Sequence, residues 1–80
     1  MRARVVDVNL RRGFIAVATS GGITVMEFLG GYEVEMEDVI SGDLESLGGE
    51  VVVNETRGEK MEVYIQDVDC TAEHAKELMK

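Results

Sequence analysis

The sequence predicts a single small domain built mainly from β-strands, closed into a five-stranded barrel and followed by a short C-terminal helix. Short runs rich in β-branched and aromatic residues are separated by glycine-containing turns, which is typical of a small all-β fold. The last ten residues have the spacing of an amphipathic helix instead. At 80 residues the chain has room for one domain, residues 1–80. Closure is favoured because it removes the exposed edges of a short sheet.

The first part of the chain predicts a three-stranded antiparallel meander. Residues 2–9, 14–19 and 23–29 are rich in Val, Ile and Phe, which favour extended backbone. Gly13 lies in the first connection and Gly21–Gly22 in the second, so both turns can use positive φ angles. We therefore expect three consecutive strands and no helix in this part of the chain.

The second half predicts shorter strands and one regular strand. Residues 32–38 read as an extended segment with an acidic face, residues 39–44 as the fourth strand, and residues 51–53 as a short strand piece after a loop at Gly48–Gly49. Residues 61–68 alternate cleanly between apolar and polar side chains, so one set should be buried and the other exposed. The inward set is Met61, Val63 and Ile65, and the outward set is Glu62, Tyr64 and Gln66.

The C-terminal segment from Thr71 to Lys80 predicts a short helix. Thr71 is suited to the N-cap, because its hydroxyl can accept a hydrogen bond from an amide two or three residues later. Ala75, Leu78 and Met79 share one face at spacings of three and four. We expect this apolar face to cover one open end of the barrel.

The charge of the chain is strongly negative and unevenly distributed. Sixteen acidic against eight basic residues give a net charge of −8, and residues 13–56 contain nine acids and no Lys or Arg. Nucleic-acid affinity depends on neutralising phosphates, so this field disfavours nucleic-acid binding and favours a protein partner with a basic surface. Simple solubility explains the same charge.

The cysteine content and the hydropathy pattern indicate a cytoplasmic protein without a membrane partner. Cys70 is the single cysteine, so no intramolecular disulfide can form. The longest apolar run, residues 14–18, is too short for a secretory leader or a membrane span.

Residues 3–9 read ARVVDVN, residues 10–17 continue LRRGFIAV, and residues 24–28 read TVMEF. This stretch resembles the cold-shock domain and, more loosely, the S1 domain, which are both oligonucleotide-binding (OB) barrels. The cold-shock pattern opens Gly-x-Val-Lys-Trp-Phe-Asn and continues after a basic turn with Gly-Phe-Gly-Phe-Ile. Its third strand reads Val-Phe-Val-His-Phe.

The resemblance covers about a third of the chain and implies an OB-like barrel. The matching positions are Val5, Asn9, Gly13 and Phe14, and Arg12 stands where the pattern has a lysine.

The departures from the cold-shock pattern affect its nucleic-acid-binding side chains. In that family, aromatic rings on the barrel surface serve as stacking platforms for bases. Here Asp7 stands at the tryptophan, Ala16 and Val25 stand at phenylalanines, and Glu27 stands at the histidine. Stacking contributes about 1–3 kcal/mol per base. We therefore expect single-stranded nucleic acid to bind weakly or not at all.

Four residues near the first hairpin form the one candidate binding cluster that combines basic and aromatic side chains. One interpretation is a remnant nucleic-acid contact. The other, which we favour, is a solvated hairpin tip whose arginines pair with the acidic surface. The residues are Arg4, Arg11, Arg12 and Phe14.

Candidate metal and catalytic residues do not form a recognisable motif. Cys70 and His74 are four residues apart and could share a helix face, but two ligands do not make a zinc site. Asp38, Asp43 and Glu45 lack the spacing of a calcium loop and read as a solvated acidic loop. We therefore expect no metal, no cofactor and no catalytic site.

Two functional hypotheses follow from the sequence. The preferred one is a non-enzymatic binding or adaptor module for another protein. The alternative is a degenerate single-stranded nucleic-acid-binding OB-fold protein that uses the turn from Arg11 to Phe14.

Overall fold

A computed structural model describes residues 1–80 and shows a closed antiparallel β-barrel with one short helix. The order of strands around the barrel is β1-β2-β3-β6-β5-β4, and β4 closes the ring by pairing with β1. The predicted fold class is thereby confirmed. The elements are β1 (Arg2–Asn9), β2 (Phe14–Thr19), β3 (Gly22–Phe28), β4 (Val39–Ser41), β5 (Gly48–Asn54), β6 (Glu59–Cys70) and α1 (Ala72–Met79).

The barrel has six strands rather than the predicted five. The predicted short piece at 51–53 is the middle of the seven-residue strand β5, which includes the glycine pair expected in a loop. The predicted fourth strand shortens to the three residues of β4. Strand directions must alternate around a ring in which every neighbouring pair is antiparallel, and that requires an even number of strands. Both segments therefore complete the ring as separate strands.

The barrel interior is filled by apolar side chains from all six strands and two connecting segments. The meander predicted for residues 2–29 is confirmed by the pairing of β1 with β2 and of β2 with β3. In β6, Val63 and Ile65 are buried and Glu62 and Gln66 are exposed, which confirms the predicted alternation. The interior residues are Ala3, Val5, Ile15, Val17, Met26, Val34, Ile40, Leu44, Val52, Met61, Val63 and Ile65.

The C-terminal half of β6 departs from regular alternation at two places. Ile65 pairs with Met26, whereas Asp67 pairs with the next residue of β3, Val25, so one residue of β6 is extra at this point. A second irregularity separates this pair from Cys70, and Asp69 there has a φ of 53°. As a result, Asp67 and Cys70 both lie on the outer face of the barrel, although their separation of three would place them on opposite faces of a regular strand.

The helix begins and ends close to the predicted positions but covers a different part of the barrel. Thr71 is the N-cap and accepts a hydrogen bond from the amide of His74 at 3.1 Å, as predicted. The apolar face of α1 packs on the outer face of β2 and β3, not over an open end. The helix packs there because β2 is apolar on both faces, and its outer face must also be buried. The outer cluster consists of Phe14, Ala16, Val25, Cys70, Ala75 and Met79.

Candidate functional site

The outer face of β2 and β3 is where the cold-shock resemblance would place the base-stacking rings. In this chain Ala16 is 1% exposed and Val25 is fully buried, because α1 covers both of them. A base cannot reach these positions while the helix is docked. This face is therefore part of a second apolar core and not an open binding surface.

The predicted cluster of arginines and Phe14 is brought together only in part. Phe14 is buried under α1, and the guanidinium of Arg12 lies 4.5 Å from the centre of its ring. Arg12 also donates a hydrogen bond to the Leu78 carbonyl at 3.3 Å. Arg11 is exposed at the hairpin tip. Arg4 lies five residues before the end of β1, about 16 Å along the strand, and contacts the Glu37 carbonyl at 3.4 Å.

The contacts of two of these arginines differ from the favoured interpretation, in which the arginines pair with the acidic surface. The contacts of Arg4 and Arg12 are with carbonyl oxygens and an aromatic ring rather than with carboxylates. Arg12 acts together with Asn9, whose side-chain amide donates to the Met79 carbonyl at 2.6 Å. The two residues thereby satisfy carbonyls at the last turn of α1, which helix termini otherwise leave unpaired. Arg12 and Phe14 thus hold the helix on the barrel.

Asp38, one of the acidic loop residues, has a structural role. Its Oδ2 atom accepts hydrogen bonds from Asn54 Nδ2 at 2.9 Å, Arg57 Nε at 2.9 Å and the Glu35 amide at 3.1 Å. Asp38 is buried, contrary to the expectation of a solvated loop, whereas Asp43 and Glu45 are exposed. The carboxylate joins the segment before β4 to the β5–β6 turn and is not presented to a cation.

The same contacts control the protonation of Asp38. Burial alone would raise the pKa of this carboxyl, but the hydrogen bonds from Asn54, the Glu35 amide and Arg57 outweigh burial and hold the pKa below its ordinary value. Arg57 also contacts the Glu35 carboxylate at 2.8 Å. The hydrogen bonds from Asp38 and then Glu35 raise the pKa of the Arg57 guanidinium. Asp38 is therefore ionised at neutral pH.

The outer face of β5 and β6 has no covering element, and it carries an exposed tyrosine. Tyr64 pairs with Glu27 of β3 on one side and with Gly49 of β5 on the other, so no bulky neighbour on β5 shields its ring. Glu62 is two residues away on the same face of β6 and pairs with Val51. Leu29 lies beside them, because its amide donates to the Glu62 carbonyl at 2.9 Å.

We call this surface the Tyr64 patch, and it consists of Leu29, Val51 and Tyr64 with the carboxylates of Glu27 and Glu62. The three apolar members are 55%, 58% and 47% exposed, respectively. The Glu27 carboxylate is oriented by a hydrogen bond from Gln66 Nε2 at 3.1 Å. The sequence predicted that Tyr64 and Glu62 point outward. It did not reveal the patch, because Leu29 and Val51 reach β6 only through the strand order of the barrel.

A second group of chemically active side chains lies where β6 meets α1. His74 Nε2 is 2.9 Å from Asp67 Oδ2, and one ligand atom each of Asp67, Cys70 and His74 lie within 4.8 Å of one another. The hydrogen bond from His74, then that from the Val68 amide, lowers the pKa of Asp67. Burial, then the charge of Asp67, raises the pKa of the Cys70 thiol. The sequence suggested Cys70 and His74 as neighbours but missed Asp67.

The chain matches no known protein-family model, no curated protein and no solved structure. The single helix, α1, lacks the length and the apolar character needed to cross a membrane.

Proposed function

We propose that this protein is a non-enzymatic binding module whose Tyr64 patch docks an arginine-bearing basic segment of another protein. The observation that carries the proposal is an exposed tyrosine ring flanked by two carboxylates on an uncovered face of the barrel. Glu27 is its cross-strand neighbour, and Glu62 is its neighbour along the strand.

Two other parts of the barrel offer no open surface to a ligand. The interior is filled by core side chains, ten of them at most 1% exposed. The outer face of β2 and β3 is covered by α1. The face of β5 and β6 combines apolar area with charge and has no covering element.

The chemistry of the Tyr64 patch suits a guanidinium group. Arginine stacks on aromatic faces, and such a contact contributes about 0.5–1 kcal/mol at an exposed site. Its planar fork of donors can at the same time pair with the carboxylate of Glu62 or Glu27. Leu29 and Val51 would contact the methylene stem of the arginine or an apolar neighbour in the partner segment.

The wider charge distribution supports a basic partner. Residues 13–56 carry nine acids and no Lys or Arg, and this segment includes three members of the patch, Glu27, Leu29 and Val51. Such a field accelerates encounter with a basic protein and repels an acidic one. Because three apolar side chains make a small interface, we expect a weak and salt-sensitive complex.

We further infer that the barrel is OB-like and that the protein acts in the cytoplasm. The first inference is supported by the β1–β3 meander and by the gap-free likeness of residues 3–28 to the cold-shock pattern. The second is supported by the single, unpaired Cys70. The alternative function, single-stranded nucleic-acid binding through the turn from Arg11 to Phe14, has weaker support, because Arg12 and Phe14 already contact the helix or its end.

The experiment is a titration of a fluorescent peptide that contains arginine and leucine, followed by anisotropy. We expect saturable binding that weakens with salt and that falls about 2- to 5-fold in Tyr64→Ala, the loss that corresponds to about 0.5–1 kcal/mol. Replacing the peptide arginines with lysine should weaken binding, because lysine cannot stack and pair at once.

The control separates the patch from net charge. Glu62→Gln and Asp43→Asn each remove one negative charge at an exposed position, but only Glu62 belongs to the patch. We expect Glu62→Gln to weaken binding several-fold and Asp43→Asn to leave it near the parent value. Equal effects of the two variants, or parent-like binding by Tyr64→Ala, would show that the patch is not the docking surface.

A further inference from the structure

The group at the junction of β6 and α1 combines three different donor types on two elements of the fold. Asp67 and Cys70 come from β6, where the two irregularities place both side chains outward. His74 comes from the first turn of α1, whose start is fixed by the Thr71 cap. The cluster therefore exists only because the helix begins where it does and packs against the end of the strand.

The donor set is that of a borderline-soft metal ion. A thiolate, an imidazole nitrogen and a carboxylate oxygen are all common zinc ligands, whereas calcium and magnesium prefer oxygen ligands alone. An ionised Asp67 and a thiolate at Cys70 carry two negative charges, and a divalent ion would neutralise them. A neutral His74 completes three protein ligands and would leave a fourth position on the solvent side.

The three ligand atoms are near enough to reach one metal ion after small side-chain movements. With metal–nitrogen and metal–oxygen bonds of about 2.0 Å and a metal–sulfur bond of about 2.3 Å, neighbouring ligand atoms lie roughly 3.3–3.6 Å apart. The three ligand atoms here lie within 4.8 Å of one another, and His74 Nε2 is 2.9 Å from Asp67 Oδ2. The side chains of Asp67 and His74 are half-exposed and can rotate. Such rotations would bring the ligand atoms to the separations of a tetrahedral site.

From this geometry we propose that Asp67, Cys70 and His74 form a zinc-binding site that joins the end of β6 to the start of α1. The metal would replace the direct hydrogen bond between His74 and Asp67 and would hold the first turn of the helix against the barrel. Metal binding would therefore stabilise the docked helix, which covers Ala16 and Val25. This site is separate from the Tyr64 patch and does not depend on its function.

The experiment measures zinc and cobalt binding by the full chain. Zinc competition with a chromophoric chelator should show one site per chain, and cobalt should give the absorption bands of a tetrahedral site with a thiolate-to-metal charge-transfer band. Loss of an outer partner of a metal ligand commonly costs 10–100-fold in affinity, so losing a direct ligand should cost at least about 100-fold. We expect that loss in Cys70→Ser, His74→Gln and Asp67→Asn. The charge-transfer band should disappear in Cys70→Ser.

The control variant is Glu73→Gln, an exposed carboxylate next to His74 that is outside the cluster. It should bind zinc like the parent chain. Asp67→Asn and His74→Gln alter exposed or half-exposed side chains, and circular dichroism without metal should show that both remain folded. Absence of stoichiometric zinc binding by the parent would overturn the proposal. So would parent-like binding by folded Asp67→Asn and His74→Gln, because the cysteine alone would then be the metal-binding group.

Discussion

The guanidinium of Arg12 lies over the ring of Phe14, 4.5 Å from the ring centroid, and also donates a hydrogen bond to the carbonyl of Leu78. Two residues of the first hairpin thus contact the last turn of the C-terminal helix. A basic and aromatic pair that resembles a nucleic-acid contact in the sequence is used inside the protein to hold α1.

Replacing Arg12 with Ala should loosen the docking of α1. The variant loses the cation–π contact, which contributes about 0.5–1 kcal/mol at an exposed site, and leaves the Leu78 carbonyl to water. We expect faster hydrogen exchange of the α1 amides and a lower melting temperature. Arg11→Ala, at the exposed neighbouring position, is the control and should behave like the parent. Equal protection of α1 in the two variants would show that Arg12 does not hold the helix.

Single-stranded nucleic acid should bind weakly or not at all at physiological salt. The outer face of β2 and β3 lacks rings at Ala16 and Val25 and is covered by α1, so base stacking has no platform there. A labelled mixed-sequence oligonucleotide titrated at about 0.15 M salt, where remote charge repulsion is partly screened, measures this directly. A dissociation constant in the low micromolar range or tighter would contradict the prediction. Loss of that binding in Arg11→Ala would then favour the hairpin as a nucleic-acid site.

Ile65 should be essential to the barrel core. Its side chain is 1% exposed at the centre of β6, and truncation of a buried isoleucine to alanine costs about 2–5 kcal/mol. In a domain whose total stability is of the order of 5 kcal/mol, Ile65→Ala can unfold the chain. Ile65→Val should cost only about 0.5–1.5 kcal/mol, so this variant should stay folded and its urea midpoint can be measured. Gln66→Ala, on the exposed face, is the control and should change the urea midpoint little. A urea midpoint of Ile65→Val equal to that of the parent would show that Ile65 is outside the core.

Acid should destabilise the protein in part through Asp38. Its pKa is lower in the folded chain than in the unfolded chain, so its contribution is fully present above about pH 5 and is lost as the pH falls through the folded value. At pH 7 Asp38→Ala should cost about 1–3 kcal/mol, because the buried amide of Asn54 loses its acceptor. Urea unfolding at several pH values should show the gap between parent and variant narrowing below about pH 4. The pKa of Asp67 is also lowered in the folded chain, but Asp67 is present in both proteins. The difference in unfolding free energy between parent and variant therefore reports Asp38. A constant gap would contradict the assignment.

The strands could be predicted from the sequence more accurately than the packing of α1 and the groups of side chains on the barrel surface. Alternation in β6 and the glycine turns of the first hairpins are local signals, and both predicted the observed strands. The position of α1 is not a local signal, because it depends on which outer face of the barrel carries apolar side chains that must be buried. The continuous apolar run at residues 14–18 was a signal of burial on both faces that the prediction did not use.

The metal-ligating group shows why local patterns fail at irregular positions. A regular strand places Asp67 and Cys70 on opposite faces, so their approach depends on two register shifts in β6. Nothing in the residue types marks those shifts, since Asp69 adopts its φ of 53° without being glycine. The Tyr64 patch likewise depends on strand order, which brings Leu29 and Val51 from distant parts of the chain to either side of β6.

The ring of strands consists of two meanders, β1-β2-β3 and β4-β5-β6, joined along two seams. Within a meander the paired residues are near one another in the chain, whereas the seams pair distant residues such as Met26 with Ile65 and Ala3 with Ile40. Contacts between distant residues form only after a large loss of chain entropy, and they slow folding more than local contacts do. We therefore expect closure of the two seams to limit the folding rate of this domain, and until they close each meander has two unpaired strand edges.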